Sequence, residues 1–176
     1  MWDLKDEVVR RLSRMGGIKN VVSHLYHQDK ADFLSVTARL DPGGKYISQV
    51  VSLDRWDNPN TEWTRRPREA VIQEVLDFYK QALAEAEWMD LMEVIKERLE
   101  QLKPVEAAKV TVTYDTMLGR PCLKVAVKTV IGKILDRQLV LEDLTDASMF
   151  DRMGYKKEIV RTIIREFVER LVLDGI

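Results

Sequence analysis

The amino-acid sequence predicts an α+β protein that is an internal duplication of one unit: helix, three strands, helix, with antiparallel sheets covered by helices on one face. The first observation is a stretch that occurs twice, as GKYISQVVSLDR at residues 44–55 and as GKILDRQLVLED at residues 132–143. The second observation is that the same order of helical and strand patterns surrounds each copy. We therefore expect two repeats, 1–86 and 87–176, packed as one compact body with an approximate twofold axis.

The opening helix of each copy is predicted from apolar residues at helical spacing. WDLKDEVVRRLSRM at residues 2–15 is echoed by WMDLMEVIKERLEQL at residues 88–102. The first pattern is stopped by Gly16-Gly17 and the second near Pro104, because neither residue type continues a helix well. The corresponding apolar positions are Leu4, Val8, Leu12 and Met15, and then Leu91, Ile95, Leu99 and Leu102.

Three strand patterns follow in each copy. In the second strand Leu34, Val36 and Ala38 alternate with polar residues, which predicts one face on a core and the other face free to be solvated, paired or used for a ligand. Turns at Asp41-Pro42-Gly43-Gly44 and at Ile131-Gly132 lead into the third strands, which are the repeated stretches themselves. We align strand 20–27 with 109–115, which places Tyr26 over Tyr114, and strand 33–40 with 123–130.

A closing helix completes each copy. RPREAVIQEVLDFYKQAL at residues 66–83 matches YKKEIVRTIIREFVERLV at residues 155–172, with Phe78 over Phe167. The first closing helix reaches the second opening helix with almost no linker, near residues 85–88. The junction is therefore either a bent helical hairpin or one nearly continuous helix.

Composition and charge favour a soluble cytoplasmic protein. Lys plus Arg number 28 against 29 for Asp plus Glu, so the net charge of −1 lacks the basic excess of a dedicated nucleic-acid binder. The one cysteine, Cys122, cannot form an intrachain disulfide, which fits a reducing compartment. We find no signal-peptide core and no apolar run of the roughly 18 residues that a membrane span needs.

The element order of each copy resembles the double-stranded RNA-binding domain family. The resemblance is most specific at GYKKEIV, residues 154–160, which is similar to the basic start of that family's second helix. It implies phosphate contacts by Lys156 and Lys157, with Arg66 and Arg68 as their counterparts in the first copy, and an affinity for the shape of A-form RNA.

Two long segments between the third strand and the closing helix, loops 54–68 and 142–155, are the predicted binding regions, because connecting segments carry function disproportionately. WDNPNTEWTRRPR at residues 56–68 combines tryptophans with arginines, the residue types that are enriched at binding hot spots and suited to single-stranded nucleic acid. The alternative is that the tryptophans cover the core and the arginines pair with Asp57, Glu62 and Glu69. The candidate binding residues are Trp56, Trp63, Arg65, Arg66, Arg68, Phe150, Tyr155, Lys156 and Lys157, and Met149 and Met153 accompany Phe150.

No motif for catalysis stands out. The sequence contains no phosphate-binding loop, nucleophile elbow, zinc-protease helix or dinucleotide fingerprint. His24 and His27 lie three apart on a strand, so they are predicted on opposite faces and cannot share a metal ion. We expect no catalytic residues, no metal and no cofactor.

These features lead to a non-catalytic binding or assembly protein of a prokaryote or phage, with a protein as the expected partner. The origin is inferred only from chain size and the lack of a sorting signal. A nucleic-acid-binding module is the first alternative, and an enzyme with an unrecognised site is the second. Self-association is compatible with each of these, and no membrane partner is expected.

Overall fold

The computed structural model describes residues 2–41, 43–55, 64–142, 144 and 147–175. The chain divides into two compact units, Met1–Ala86 and Glu87–Ile176. Each unit contains a three-stranded antiparallel sheet together with helices. The predicted α+β class is therefore confirmed, and the arrangement is consistent with a duplicated unit. Pro42, Trp56, Asp57, Glu62 and Trp63 lie outside the described residues.

The first unit begins with helix α1, and its sheet has the order β1-β2-β3. A short two-stranded ribbon, β4 paired with β5, precedes helix α2. The bounds are α1 Trp2–Ser13, β1 Ile18–Gln28, β2 Ala31–Leu40, β3 Tyr46–Ser52, β4 Asp54–Arg55, β5 Thr64–Arg65 and α2 Arg68–Glu100. Helix α2 is one helix of 33 residues, so the junction is continuous rather than a hairpin.

The second unit contains the last part of α2, a sheet with the order β6-β7-β8, and the closing helix α3. The bounds are β6 Val105–Asp115, β7 Arg120–Thr129, β8 Ile134–Val140 and α3 Met149–Leu173. Strands β6, β7 and β8 repeat the lengths of β1, β2 and β3, at 11, 10 and 7 residues.

Burial follows the predicted periodicities in both units. In β2, Leu34, Val36, Ala38 and Leu40 are buried, and in β7 Leu123, Val125 and Val127 are buried. The opening helices bury Leu4, Val8 and Leu12 in the first unit and Leu91, Ile95 and Leu99 in the second. These apolar faces form the core of each unit, since burial of apolar area is the main favourable term in folding.

Gly17 lies in the turn between α1 and β1, where no other residue would fit without strain. Its φ is +83°, and a Cβ there would lie 2.9 Å from Asp41 O and 2.9 Å from Leu83 Cδ2. The amide of Asp41 donates to Gly17 O at 2.8 Å, which ties the helix end to the turn after β2. The second unit makes the equivalent bond from Val130 N to Pro104 O at 3.0 Å.

Further backbone hydrogen bonds recur at matching places and fix the alignment of the two units. Each recurrence joins the same two elements in the same direction. The pairs are Leu40 N to Lys45 O with Thr129 N to Lys133 O, both 2.9 Å, and Leu53 N to Asp32 O with Leu141 N to Pro121 O, both 2.8 Å.

Three of the predicted correspondences between the two copies are wrong by one position. Strand 33–40 corresponds to residues 122–129 rather than to 123–130. Tyr26 pairs with Phe33, whereas Tyr114 pairs with Pro121, the residue that corresponds to Asp32. The reason is turn length, because the β1–β2 turn has two residues between its last pair and the β6–β7 turn has four. In the closing helices the fully buried Phe167 corresponds to the fully buried Tyr79, while Phe78 is 37% exposed.

Helix α3 begins at Met149 and not near Tyr155 as the sequence comparison predicted. Ser148 caps it, because its Oγ accepts a hydrogen bond from Asp151 N at 3.1 Å. Gly154 lies inside the helix, where a glycine costs about 1 kcal/mol relative to alanine but does not stop a well-packed helix. The predicted loop 142–155 therefore includes the first turns of α3.

Candidate binding surfaces

The β4–β5 ribbon closes the base of the segment that contains Trp56 and Trp63. Arg65 donates from Nη1 to Asp32 Oδ2 at 2.7 Å and to Asp54 Oδ1 at 3.1 Å. Hydrogen bonds from His27 and from Arg65 hold the pKa of Asp32 below its ordinary value. The predicted binding residue Arg65 is thus engaged inside the first unit.

Arg66 and Arg68 follow the ribbon at the start of α2. Arg66 donates from Nη1 to Ser52 O at 3.0 Å and forms an ion pair with Glu74. Arg68 is the first residue of the helix, and its side chain is exposed. Glu69, one of the partners expected for these arginines, instead pairs with Arg11 of α1 at 2.6 Å. Among the described residues, Arg65 therefore pairs with Asp32 and Asp54 and Arg66 pairs with Glu74, while the expected partners Asp57 and Glu62 lie outside the described residues.

Lys156 and Tyr155 contact the part of α2 that belongs to the second unit. Lys156 donates from Nζ to Glu87 O and to Asp90 Oδ1, both at 2.8 Å, and lies 5.2 Å from the ring centroid of Trp88. Tyr155 packs edge-on against Trp88 at 6.1 Å and accepts from Glu142 N at 3.0 Å. Burial raises the pKa of Tyr155 above its ordinary value. Both residues attach α3 to its own unit.

The outer face of α3 carries the two remaining predicted residues. Phe150 is 86% exposed at the first turn, next to the exposed Met149 and Met153. Lys157 is followed at four-residue intervals by Arg161 and Arg165, and all three are exposed. We call Lys157, Arg161 and Arg165 the basic row; within the part of the chain that the structure describes, none of them forms an ion pair. Their spacing along the helix is about 6 Å.

A further surface lies on the face of the first sheet that points away from its buried residues. We define the open sheet face by the side chains that alternate with the core positions. It comprises Asn20, Val22, His24, Tyr26, Phe33, Ser35, Thr37, Arg39, Tyr46, Ser48, Val50 and Ser52. His24 lies on this face, while His27 contacts Asp32 on the other side of the sheet, as their spacing predicts.

Side chains on the open sheet face contact one another across the strands. The rings of Tyr26 and Phe33 stack with centroids 5.5 Å apart, and Thr37 Oγ1 lies 2.7 Å from Ser48 Oγ. Asn20 donates from Nδ2 to the hydroxyl of Tyr46 at 3.3 Å. The positive φ of Asn20, 53°, occurs at a break in the β1–β2 register, and asparagine tolerates it better than most residues.

Charge is nearly absent from the open sheet face. Arg39 alone among its residues has a permanent charge, although 32% of the whole sequence is charged. The corresponding face of the second sheet carries Lys109, Lys124, Lys128 and Asp136. The two copies therefore share a fold and differ in the chemistry of this face.

Sequence reasoning identified the polar side of β2 but not the surface that it forms. The missed residues are those that become neighbours only when three strands pair, such as Tyr26, Phe33 and Val50. The sequence did contain a signal for this surface. Tyr26 and Tyr46 are aromatic residues at strand positions that alternate with the core positions and would ordinarily be polar.

Metal-ligand clusters and membrane-spanning helices are both absent from the described residues. No group of three or more His, Cys, Asp or Glu side chains there is arranged to hold a metal ion. Among the same residues, no helix combines the length and the apolar character required to cross a membrane.

Comparison with known proteins gave no relative. No protein-family model matches the chain, and no curated protein and no solved structure is similar to it.

Proposed function

We propose that the protein is a non-catalytic binding or assembly protein and that it contacts a protein partner through the open sheet face. The observation that carries the proposal is the chemistry of this face: exposed Val22, Tyr26, Tyr46 and Val50 on a surface with one permanent charge. Interface cores are depleted in charged residues and enriched in tyrosine and phenylalanine. A protein partner fits this composition better than a phosphate backbone does.

The aromatic residues are the expected anchors of the interface. Tyrosine adds a large contact area with few rotatable bonds, and its hydroxyl stays hydrogen-bonded when the ring is covered. The hydroxyl groups of Ser35, Thr37 and Ser48 keep the free surface hydrated, which fits a face that is covered only when the partner is present. Tyr26, Phe33 and Val50 should therefore dominate the affinity.

The proposal is tested with a photo-crosslinking amino acid placed at Val50 and, as the matched control, at the corresponding residue Gln138 of the second sheet. In the native host, position 50 should form a defined protein adduct and position 138 should not. Adding Tyr26→Asp to the Val50 variant should abolish the adduct. Equal adducts from both positions, or an adduct that survives Tyr26→Asp, would contradict the proposal.

The second candidate is nucleic-acid binding through α3, and the unpaired basic row is the observation that favours it. Three phosphate contacts predict that the logarithm of the binding constant falls against the logarithm of salt concentration with a slope of about −2 to −3. The experiment compares duplex and single-stranded RNA and DNA across a salt series. Replacing Lys157, Arg161 and Arg165 by alanine should remove the slope. Absence of binding at low salt would eliminate this candidate.

A further inference from the structure

The size of the open sheet face limits what can cover it. Three strands spaced about 4.8 Å apart give a width of about 14 Å, and seven residues of β3 at about 3.3 Å each give a length of about 23 Å. An α-helix with its side chains is about 10–12 Å wide, and 15 residues of helix are about 23 Å long. One helix of about four turns would therefore span the length of the face and most of its width.

Other occupants fit the face less well. Its area, about 14 by 23 Å, is less than half of the roughly 800 Å² per partner that a stable protein–protein interface buries. A second copy of the chain that used this face alone would thus form only a weak dimer. An extended peptide adds to the edge of a sheet through backbone hydrogen bonds and leaves the face uncovered.

The first unit already shows how helices cover this sheet, because α1 and α2 both pack on its opposite face. On the opposite face, Val71, Val75 and Tyr79 of α2 are buried in one core with Leu34 and Val36 of β2. Tyr79 also donates from its hydroxyl to Val36 O at 2.9 Å. A helix on the open face would complete a three-layer arrangement, with the sheet between helices.

Arg39 lies at one end of the face, beside Tyr46 in the pairing of β2 with β3. The side chain is partly exposed and carries the one permanent charge of the face. A carboxylate is the natural partner of a guanidinium group. The occupant should therefore carry an acidic side chain at this end.

On the basis of the proposed function, we infer that the open sheet face binds one amphipathic helix of a partner protein, about 15 residues long. The apolar stripe of that helix packs on Tyr26, Phe33 and Val50. An acidic residue near one end of it pairs with Arg39. Association through a helix laid on a surface requires apolar anchors at helical spacing.

The test uses the full chain and two display libraries of 16-residue peptides. One library has the helical pattern, with apolar residues at i, i+3, i+4 and i+7 and Glu or Lys at the other positions. The second has alternating apolar residues with prolines that prevent helix formation. We expect enrichment from the helical library only, and the enriched peptides should gain helical circular dichroism on binding.

Matched variants then locate the site. Tyr26→Asp and Val50→Asp should each weaken binding at least about tenfold, whereas Thr113→Asp and Gln138→Asp, at the corresponding positions of the second sheet, should leave it unchanged. Arg39→Glu should weaken peptides that carry Glu and strengthen those that carry Lys. Two separate Asp variants are used because either could perturb folding, which circular dichroism of each variant will reveal.

The outcomes separate the inference from the proposed function. If only proline-containing peptides are enriched and Tyr26→Asp abolishes their binding, the helical occupant is wrong. The proposal that the open sheet face binds a protein partner would then still hold. If helical peptides bind equally well to the Tyr26→Asp and Val50→Asp variants, both the helical occupant and the proposed binding face are wrong. A dimer in sedimentation experiments that is abolished by Val50→Asp would assign the face to a second copy of the chain and overturn the inference.

Discussion

At the residue scale, corresponding positions show what each side chain contributes. Tyr79 and Phe167 occupy the same place in the two closing helices, and both are fully buried. Tyr79 differs by a hydroxyl that donates to Val36 O, and burial raises the pKa of Tyr79 to about 12. The second unit fills the equivalent place without a hydroxyl, so this hydrogen bond is an addition to a core that the fold can build without it.

Tyr79→Phe should lower the free energy of unfolding by about 1 kcal/mol, because one buried hydrogen bond is lost without leaving a cavity. Tyr79→Ala should cost about 3–5 kcal/mol, because the ring itself is removed from the core. Urea unfolding followed by circular dichroism measures both. Equal costs for the two variants would show that the hydroxyl, not the ring, dominates.

The carboxylate of Glu7 on α1 predicts part of the loss of folding stability at low pH. Hydrogen bonds from Arg10 and then Arg11 lower the pKa of Glu7 from 4.5 to about 2. Between pH 4.5 and 2 the unfolded chain binds a proton that the folded chain does not, so the stabilisation by Glu7 is full above pH 4.5 and is lost as the pH falls toward 2.

Glu7→Gln should therefore flatten the decline of stability with falling pH in that window. The control is Glu97→Gln, an exposed glutamate for which the structure describes no ion pair. Unfolding free energies of the two variants and of the unaltered protein, measured at several pH values, compare the slopes. Identical slopes for Glu7→Gln and the unaltered protein would refute the prediction.

At the element scale, helix positions were readable from periodicity, and one helix start was not recognised. The buried residues of α1 and of the second half of α2 are those that helical spacing predicts. The start of α3 was misplaced because residues 155–172 were matched to the first closing helix, whereas Ser148-Met149-Phe150-Asp151 is a capping sequence. A capping signal involves only four residues, so an alignment of two whole helices can hide it.

Ser148→Ala tests this helix start. Loss of the cap should destabilise the second unit by about 1 kcal/mol, and Ser148→Thr, which keeps a hydroxyl that accepts from Asp151 N and donates to Asp151 Oδ2, should cost little. Hydrogen exchange at the amide of Asp151 should accelerate in Ser148→Ala, because this amide donates to Ser148 Oγ, whereas the amide of Arg152 keeps its bond to the backbone oxygen of Ser148. No change in exchange would mean that the helix begins later, near Tyr155.

Candidate binding residues were harder to place than elements. Lys156 contacts Glu87 and Asp90 in a different helix, and Arg65 contacts Asp32 in another strand. Such pairs join groups that are far apart in sequence, so no local pattern contains them. Four of the candidate residues, Arg65, Arg66, Tyr155 and Lys156, are thus engaged within their own units, while the open sheet face became visible only after the strands were paired.

At the scale of the whole molecule, the duplication was predictable because both copies keep the same pattern of burial. Its detailed alignment was not, because turns of different length shift the correspondence between elements. Within strands, a shift by one residue would move every core side chain to the opposite face. The length differences therefore fall in turns, such as Asp29-Lys30 against residues 116–119.

Equivalent core positions in the two units should contribute similarly to the free energy of unfolding. Leu34→Ala and Leu123→Ala each remove a fully buried leucine from the central strand of a three-stranded sheet, so each should cost about 2–5 kcal/mol. Ser35→Ala and Lys124→Ala, the neighbouring residues on the outer faces, should stay within about 0.5 kcal/mol. Denaturant titration compares the free energies of unfolding of the four variants. A negligible loss of stability for either leucine variant would show that the two units do not have equivalent cores.

The longer β6–β7 turn has a practical consequence. Met117 at its tip is 96% exposed, and the single native cysteine, Cys122, is 1% exposed. Met117→Cys would therefore accept a thiol-reactive dye while the native thiol stays inaccessible. The corresponding β1–β2 turn of the first unit is two residues shorter, so the fold does not depend on this tip. A fluorophore there would report on the tumbling of the full chain when a ligand attaches, without occupying either sheet surface.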